Sequence, residues 1–523
     1  MSALPHDDMT HDLHDDAAVR TVGPVLAWAR RQPRAPALSD EAGALTYGEL
    51  VQAVDEATEA LRSLGLRPRD RLLGVGENSV ALAVLILAAS RLGACAVLEN
   101  ARRAPAEIDA IVAHCQPHAM VFVHANSEDA ARHASRLGAE ARATPALGRI
   151  SVLVPAAAGG LTDAEASNDA GVMIYTTGST GTPKGVMLSH ANLGYIASMM
   201  QPLRQMSPRD RVYGILPITH VMGQASVLLG ALHAGASLHL VSRFSPARCI
   251  EVLRERRVTV LQGAPAMFAK LVEQCHRDGV AGFPDIRFIG SGGAPIDPTV
   301  KANTEALFGT RLHNGYGLTE AASICWTRFE DDNADDSVGR PLPDVEVAIL
   351  DPEQRPVAPG EVGELRVRGP NVMIGYFRNP ALTAQVLTAD RWFNTQDLAR
   401  RGDDGRIYIV GRTKDMILRS GFNVYPLEVE AALNTHAAVL HSAVVGRAVP
   451  GNEEVVAYVE LVKHANVDAA ALLQHLTERL SPYKRPSHIV FVDHLPLAAN
   501  GKVLKRALEA LALPGIDTAE DRS

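Results

Sequence analysis

Cysteine is scarce in these 523 residues: there are five, an odd number, with no C-x-x-C spacing. That excludes a disulfide framework or a thiolate zinc cluster as the basis of the fold, and predicts a reducing, cytoplasmic setting. Long apolar runs are also missing. The longest, 80–89, is about half a membrane span and is followed by Arg91, so it reads as a buried helix. A surplus of basic charge is lacking: the net charge of −8 argues against a non-specific nucleic-acid binder and offers no polybasic patch to a membrane. The first residues have neither the basic nor the apolar stretch of a secretory signal. Their aspartates and His6, His11 and His14 read as a solvated tail and not as metal ligands. Repeats and long low-complexity segments are absent, and no position satisfies the Walker pattern G-x-x-x-x-G-K-S/T.

What is present fits an ordinary globular protein, 47% apolar and 21% charged. The length is too great for one core and predicts at least two folding units. Thr46 and Glu49 form a capping-box signature, and Leu50, Val54, Ala57, Leu61 and Leu64 recur at helical spacing up to a stop at Gly65. Strands over 71–75, 94–98 and 119–123 alternate with helices over 79–92 and 105–115. A second alternating region has strands over 211–216, 237–241 and 258–263 and helices over 224–234 and 245–256. Such alternation predicts parallel sheets with ligands at the carboxyl ends of their strands. Short strands over 345–350, 363–368 and 407–410, broken by Gly, Pro and Asp, predict a small β subdomain. Gly411-Arg412-Thr413-Lys414-Asp415 is then a charged break before a last mixed unit. The expected fold class is α/β: a large N-terminal domain (19–412) of two α/β halves plus a small β subdomain, a hinge (413–415), and a small mobile α+β C-terminal domain (416–511). Residues 1–18 and 512–523 are expected to be tails.

The most informative stretch is V-M-I-Y-T-T-G-S-T-G-T-P-K-G-V-M-L-S-H, over 172–190. An apolar strand over 172–175 feeds a loop of hydroxyls and glycines, and Ser189 or His190 opens a helix over 191–200. Gly178, Gly181 and Gly185 let backbone N–H groups approach an anion. Thr176, Thr177, Ser179, Thr180 and Thr182 add hydroxyls, and Lys184, after Pro183, adds a point charge. A flexible linker has similar composition, but Pro183-Lys184 and abrupt apolar flanks are not linker features. The stretch closely resembles the phosphate loop of the acyl-adenylate-forming superfamily, which includes acyl-CoA synthetases, adenylation domains of nonribosomal peptide synthetases and luciferases. In that family the loop closes over the β- and γ-phosphates of ATP.

Further motifs similar to that family's follow in order from Thr176 to Lys502. L-P-I-T-H-V-M-G over 216–223 resembles the stretch beside the acyl pocket, with His220 at the family histidine; taken alone, such a histidine reads as an ordinary core residue. S-G-G-A-P over 291–295 resembles the adenine-edge loop, with Gly293, Ala294 and Pro295 in contact with the base. For N-G-Y-G-L-T-E over 314–320 the resemblance implies that Tyr316, between Gly315 and Gly317, stacks on adenine and that Asn314 reads its amino edge. It also implies that Thr319 contacts the α-phosphate and that Glu320 holds Mg²⁺ together with Thr176, hard oxygen donors of the kind Mg²⁺ prefers. T-Q-D over 395–397 matches a T-G-D stretch whose aspartate, here Asp397, accepts from both ribose hydroxyls; Gln396 stands where the family has glycine. Arg412 would reach the ribose or phosphates, and Lys414 falls at the hinge. Ser420, Gly421 and Phe422 belong to the loop that faces the site during thioester formation. In the final motif, L-P-L-A-A-N-G-K, Lys502 is implied as the catalytic lysine, joined in catalysis by His220, Thr319 and Glu320.

The resemblance implies an ATP-dependent carboxylate–CoA ligase, with Mg²⁺ as cofactor and ATP and coenzyme A as co-substrates, releasing AMP and pyrophosphate. Segments matching the acyl pocket, 219–226, 263–267, Ser291 and 321–325, carry no Asp, Glu, Lys or Arg beyond Glu320's neighbourhood. Amino-acid-activating relatives carry an aspartate after the histidine, where this chain has Val221-Met222-Gly223. A medium- or long-chain fatty acid or an aryl monocarboxylic acid is therefore expected, since an unpaired buried charge is costly. Two other readings are a fatty acyl-AMP ligase that loads a carrier protein without CoA and a catalytically inactive nucleotide-binding sensor. The expected partners are small molecules, with no nucleic acid and no membrane span; a homodimer is a candidate assembly.

Overall fold

The computed structural model describes residues 19–155, 170–177, 183–331, 335–420, 422–449, 452–463, 465–496 and 503–511. The capping box forms as its spacing predicts. Glu49 N–H donates to Thr46 Oγ1 at 3.3 Å, Thr46 N–H donates to Glu49 Oε2 at 2.8 Å, and the helix Tyr47–Ser63 ends before Gly65 at φ +85°. The apolar run becomes the helix Val80–Leu92, buried on nearly every side, capped by Ser79 and closed by Gly93 in the left-handed conformation. No helix among the described residues is long and apolar enough to cross a membrane.

Two large sheets form the N-terminal part. One has eight strands in the order Gly375–Tyr376, Pro183–Ser189, Ala170–Thr177, Cys95–Asn100, Arg71–Gly76, Ala119–Val123, Gly148–Leu153 and Glu140–Thr144. Its four inner strands are parallel, as the alternation predicts, and antiparallel strands extend both edges. The other has nine strands, with Leu312–Tyr316, Phe288–Ser291, Val260–Gly263, Arg211–Gly214 and Ser237–Leu240 parallel in that order. Pro36–Ser39 and Ala44–Thr46, from the start of the chain, complete its far edge. The two α/β halves therefore exchange segments and neither is one continuous stretch. The sequence pattern predicts neither these two strands nor Pro183–Ser189, because short pieces with distant partners carry too few periods to stand out.

Four antiparallel strands, Glu346–Leu350, Val362–Arg368, Phe393–Arg401 and Ile407–Arg412, make the small β subdomain. In the last unit Val439–Val449, Asn452–Leu461 and His488–Phe491 share a sheet and pack with the helices Pro426–Asn434 and Ala469–Thr477 around a separate core. The fold is thus mixed α/β, with a large N-terminal domain and a smaller C-terminal one.

Two helices depart from their predicted form. The segment expected as a helix over 224–234 is a π-helix, Met222–Leu229, that continues as Gly230–His233. A Cβ at Gly223 would stand 2.1 Å from the Pro217 carbonyl oxygen, so only glycine lets the first turn press so closely on the chain entering it. The helix after the phosphate loop runs His190–Arg204, past the expected end at 200, with Ser189 Oγ accepting from Asn192 N–H. Pro202 lies in its last turns, and the extra length carries Arg204 into the interior, where it is 1% exposed.

Candidate active site

The phosphate loop joins two antiparallel strands. Tyr175 pairs with Gly185, Thr176 with Lys184 and Thr177 with Pro183, which sets the Thr176 hydroxyl residue opposite the lysine at the loop's root. Gly178, Ser179, Thr180, Gly181 and Thr182, and the side chain of Thr177, lie outside the described residues. Packing explains the glycine at 185, where a Cβ would meet Met173 Sδ at 2.8 Å and the Tyr175 ring at 3.2 Å. Tyr175 is held from several sides. Its carbonyl accepts from Arg103 Nη2 at 2.9 Å, its hydroxyl contacts His114 Nδ1 at 2.6 Å, and Arg103 also pairs with the enclosed carboxylate of Glu99. Burial pushes the Glu99 carboxyl up to about 7, with Arg103 pulling the other way.

On the opposite flank, Leu312–Tyr316 delivers the N-G-Y-G-L-T-E segment at its carboxyl end. Asn314 is buried; its Nδ2 donates to Ser337 O at 3.2 Å and its Oδ1 accepts from Gly315 N–H at 3.1 Å. A Cβ at Gly315 would fall 2.0 Å from the Trp326 ring, and one at Gly317 would fall 1.9 Å from Ala322 O, so both glycines are required by packing. Tyr316 Oη donates to Asp397 Oδ2 at 2.5 Å, and Arg412 Nε lies 3.1 Å from Asp397 Oδ1. Asp397 and Arg412 are opposite each other in an antiparallel pair, and Gln396 beside them has φ +59°, a conformation in which glycine costs least. Gly293 has φ +82° in the turn after Phe288–Ser291, followed by Ala294 and Pro295.

Thr319, Glu320 and Ala321 form a single 3₁₀ turn, followed by Ala322 at φ 45°, ψ −88°, a strained conformation for a residue other than glycine. Burial pushes the Glu320 carboxyl up, and Tyr376, Lys184 and Arg412 pull it back. Tyr376 Oη donates to Glu320 Oε1 at 2.9 Å, while Lys184 Nζ lies 5.6 Å from the centre of the same Tyr376 ring. Tyr376 thus links the root of the phosphate loop to Glu320. Asn371, fully buried, donates to the carbonyls of Ala321 and Ser323 at 2.9 Å each and fixes the turn from behind. Both residues escape the motif reading. Gly375-Tyr376 is a two-residue strand with no period of its own, placed only by pairing with Val186 and Met187.

A divalent cation carried on a triphosphate fits this geometry. Thr176 and Glu320 are hard oxygen donors, and an enclosed carboxylate disfavoured by burial gains from a nearby cation.

His220 enters the π-helix: its N–H donates to Pro217 O at 3.0 Å and its carbonyl accepts from Gln224 N–H at 2.8 Å. Burial pushes its imidazole down to about 4, with Arg103 and Arg102 adding to the effect, so the ring is neutral at physiological pH. Lys414 lies in the 3₁₀ turn Thr413–Asp415. Ser420 has φ +53° and its N–H donates to Asn452 Oδ1 at 2.6 Å; Phe422 is exposed and stacks on Tyr483 at 4.6 Å. Gly421 and Lys502 lie outside the described residues. All five cysteines are free and buried.

Known proteins resemble this chain in sequence and in fold. The AMP-binding enzyme family matches residues 25–377, and the AMP-binding enzyme C-terminal domain matches residues 428–502. A feruloyl-CoA synthase from Amycolatopsis sp. is 34% identical over 486 residues, covering 91% of this chain and 96% of that protein. ATP-bound MatB from Rhodopseudomonas palustris superposes with a TM-score of 0.82 at 29% identity, over 94% of this chain and 98% of that one. The o-succinylbenzoate coenzyme A synthetase MenE from Bacillus subtilis, in complex with ATP and magnesium ion, gives 0.78 at 26% identity, over 93% and 99%. With a match through most of its length and a fold shared with ATP-bound enzymes, the chain belongs to the AMP-binding enzyme family of adenylate-forming ligases.

Proposed function

We propose that this protein is an AMP-forming carboxylate–CoA ligase acting on a monocarboxylic acid with an apolar body, either aryl or a medium- to long-chain fatty acid. The observation that carries the reading is the chain Lys184–Tyr376–Glu320, which joins the phosphate loop to the N-G-Y-G-L-T-E turn, with Asp397 and Arg412 on the nucleoside side. Relatives named as a feruloyl-CoA synthase, a long-chain-fatty-acid–CoA ligase and an indoleacetate–CoA ligase support it.

In the first half-reaction a carboxylate oxygen attacks the α-phosphorus of ATP, the α–β bridge breaks and pyrophosphate leaves with the electron pair. Two anions must approach, so oriented donors and positive charge are the main catalytic need. Bound Mg²⁺, held by Glu320 and Thr176, would supply charge at the phosphates. Lys184 and the loop hydroxyls hold the β- and γ-phosphates, Thr319 donates toward the α-phosphate, and Asp397 accepts from the ribose. Neutral His220 orients the acid without adding a charge. By resemblance, Lys502 stabilises the growing charge on the α-phosphoryl oxygens. In the second half-reaction the CoA sulfur attacks the acyl carbon, AMP leaves, and the thiol proton is released. Lys502 and the pantetheine arm need the same space, so the C-terminal domain turns about Lys414 and brings Ser420, Gly421 and Phe422 to the site.

The test is to assay AMP, pyrophosphate and thioester against acids from acetate through palmitate to benzoate and cinnamate. AMP with CoA-dependent thioester supports the ligase. ADP instead of AMP overturns it, and acyl-AMP with no thioester assigns a carrier-protein acceptor.

A further inference from the structure

The strand Cys95–Asn100 lies beside Ala170–Thr177, the strand that leads into the phosphate loop, with Ala96 in register with Val172 and Val97 with Met173. Past its end the chain turns through Ala101, Arg102 and Arg103 into the helix Pro105–Cys115. Buried His133 holds this turn, its Nε2 contacting the carbonyls of Ala101 at 3.0 Å and Arg103 at 3.1 Å. Beside the turn, the carboxylate of Glu99 is enclosed and paired with Arg103. An enclosed ion pair adds little to stability, because desolvation offsets the attraction, so this one calls for another account.

Arg103 reaches in three directions. Its Nε pairs with Glu99 Oε2, its Nη1 lies 3.3 Å from Glu107 Oε1, and its Nη2 donates to Tyr175 O at 2.9 Å. Glu107 is itself fixed, because its Oε2 accepts from Ala104 N–H at 2.9 Å where the helix begins. A guanidinium is planar and rigid, so two carboxylates that hold two of its nitrogens also set the direction of the third. The ammonium of a lysine has no such fork.

What the third nitrogen grips is the peptide that joins Tyr175 to Thr176. A peptide unit is planar, so holding Tyr175 O fixes the direction in which Thr176 continues. Thr176 stands opposite Lys184 at the root of the loop. The Tyr175 side chain is pinned separately: its hydroxyl contacts His114 Nδ1 at 2.6 Å, and its ring lies 3.2 Å from where a Gly185 Cβ would stand. Releasing the carbonyl would therefore let the peptide swing while the side chain stays in place. Arg103 and Arg102 are also close enough to His220 for their charges to disfavour its protonated form, so the turn borders the reacting end.

We propose that Arg103 is a positioning residue for the triphosphate: oriented by Glu99 and Glu107, its guanidinium fixes the Tyr175–Thr176 peptide, so that Thr176 and Lys184 meet the β- and γ-phosphates in one geometry. It acts through the loop and not on the reacting atoms. The inference rests on the ligase reading above and adds to it the group that holds the loop's entry. AMP and acyl-AMP have no β- or γ-phosphate, so the effect is confined to ATP and to the first half-reaction. A residue that only stabilises the fold would not distinguish the two nucleotides.

The experiment titrates full-length Arg103→Met, Arg103→Lys and Glu99→Gln calorimetrically with AMP and with the α,β-methylene analogue of ATP, both with Mg²⁺. The same proteins are assayed for pyrophosphate release and, separately, for thioester formation from acyl-AMP prepared with an acid the wild type accepts. In Arg103→Met, affinity for the ATP analogue and pyrophosphate release fall about tenfold to a hundredfold, the range of one lost hydrogen bond to a charged group. Its affinity for AMP and its thioester formation from acyl-AMP stay near the wild-type values. Arg103→Lys keeps the charge without the fork and falls in between. Should Arg103→Met not fold, Glu99→Gln, which keeps the shape and loosens the hold on Arg103, reads the same contrast with a smaller loss. Equal losses toward AMP and the ATP analogue, or no loss in any folded variant, overturn the inference. A wild type that forms no acyl-AMP with any acid counts against the ligase reading, while the two titrations still decide what Arg103 does.

Discussion

Arg412 Nε lies 3.1 Å from one carboxylate oxygen of Asp397, and the other oxygen of that carboxylate accepts from Tyr316 Oη at 2.5 Å. Two other segments are thus tied to a carboxylate only 4% exposed. Its hydrogen bonds fix its orientation, as the proposed ribose-binding role requires, and are stronger for being charge-assisted. Asp397→Asn should weaken AMP binding by about ten- to a hundredfold, the equivalent of ~1.5–3 kcal/mol for a hydrogen bond to a charged group. Tyr316→Phe should cost less, about 1 kcal/mol. Calorimetric titration with AMP checks both, and unchanged affinity in Asp397→Asn removes Asp397 from the nucleotide site.

Glu320 is enclosed, and Tyr376 holds one of its oxygens. Glu320→Gln keeps the shape and removes a poorly solvated charge, so the ligand-free protein should melt at a higher temperature while adenylation falls by a hundredfold or more, the scale of losing about 3 kcal/mol of preorganised charge. Tyr376→Phe should lower adenylation by a smaller factor. Thermal melts and pyrophosphate release, run side by side, test the pair; a Glu320→Gln enzyme of normal activity would exclude the metal role.

Lys502 is expected to act in one half-reaction alone. Lys502→Ala should slow acyl-AMP formation about a hundred- to thousandfold, on the scale of one lost donor. Thioester formation from chemically prepared acyl-AMP should stay near normal. Equal losses in both steps would contradict a domain rotation between them.

Burial pushes His220, His239 and His313 down to about 4. Their unfolded value is near 6.5, so as pH falls the unfolded chain takes up protons before the folded one does. Their contribution to stability is complete above about pH 6.5, is lost between 6.5 and 4, and changes little below that. Glu99 and Glu320, pushed up by burial, act in the opposite sense over part of that window, but the lowered histidines outnumber them. The melting temperature should therefore drop between pH 6.5 and 4, and His313→Phe should make the slope shallower. A melting temperature that is flat across that window refutes the argument.

Gln396 adopts φ +59° next to Asp397. Gln396→Gly relieves this conformation, while Gln396→Val adds a branched side chain where none is tolerated and should cost about 1–3 kcal/mol more. Urea denaturation of the two variants measures the difference, and equal midpoints would mean the backbone there relaxes freely.

The sequence by itself determined the fold class, the family resemblance and the order of the motifs, because each of those rests on local chemistry. A glycine turn, a capping box or a Thr-Glu pair is read within a few residues. The assembly of the site was decided only in three dimensions. Tyr376 reaches Glu320 because a two-residue strand pairs with the strand leaving the phosphate loop, and Asn371 reaches the turn after Glu320 from a segment about fifty residues on. Arg204 looks like a surface residue at the end of a helix, yet the helix runs past Pro202 and places its guanidinium between Trp326 and Phe288. Periodicity shows which face of an element is apolar, but which distant group that face meets depends on the packing of the whole chain.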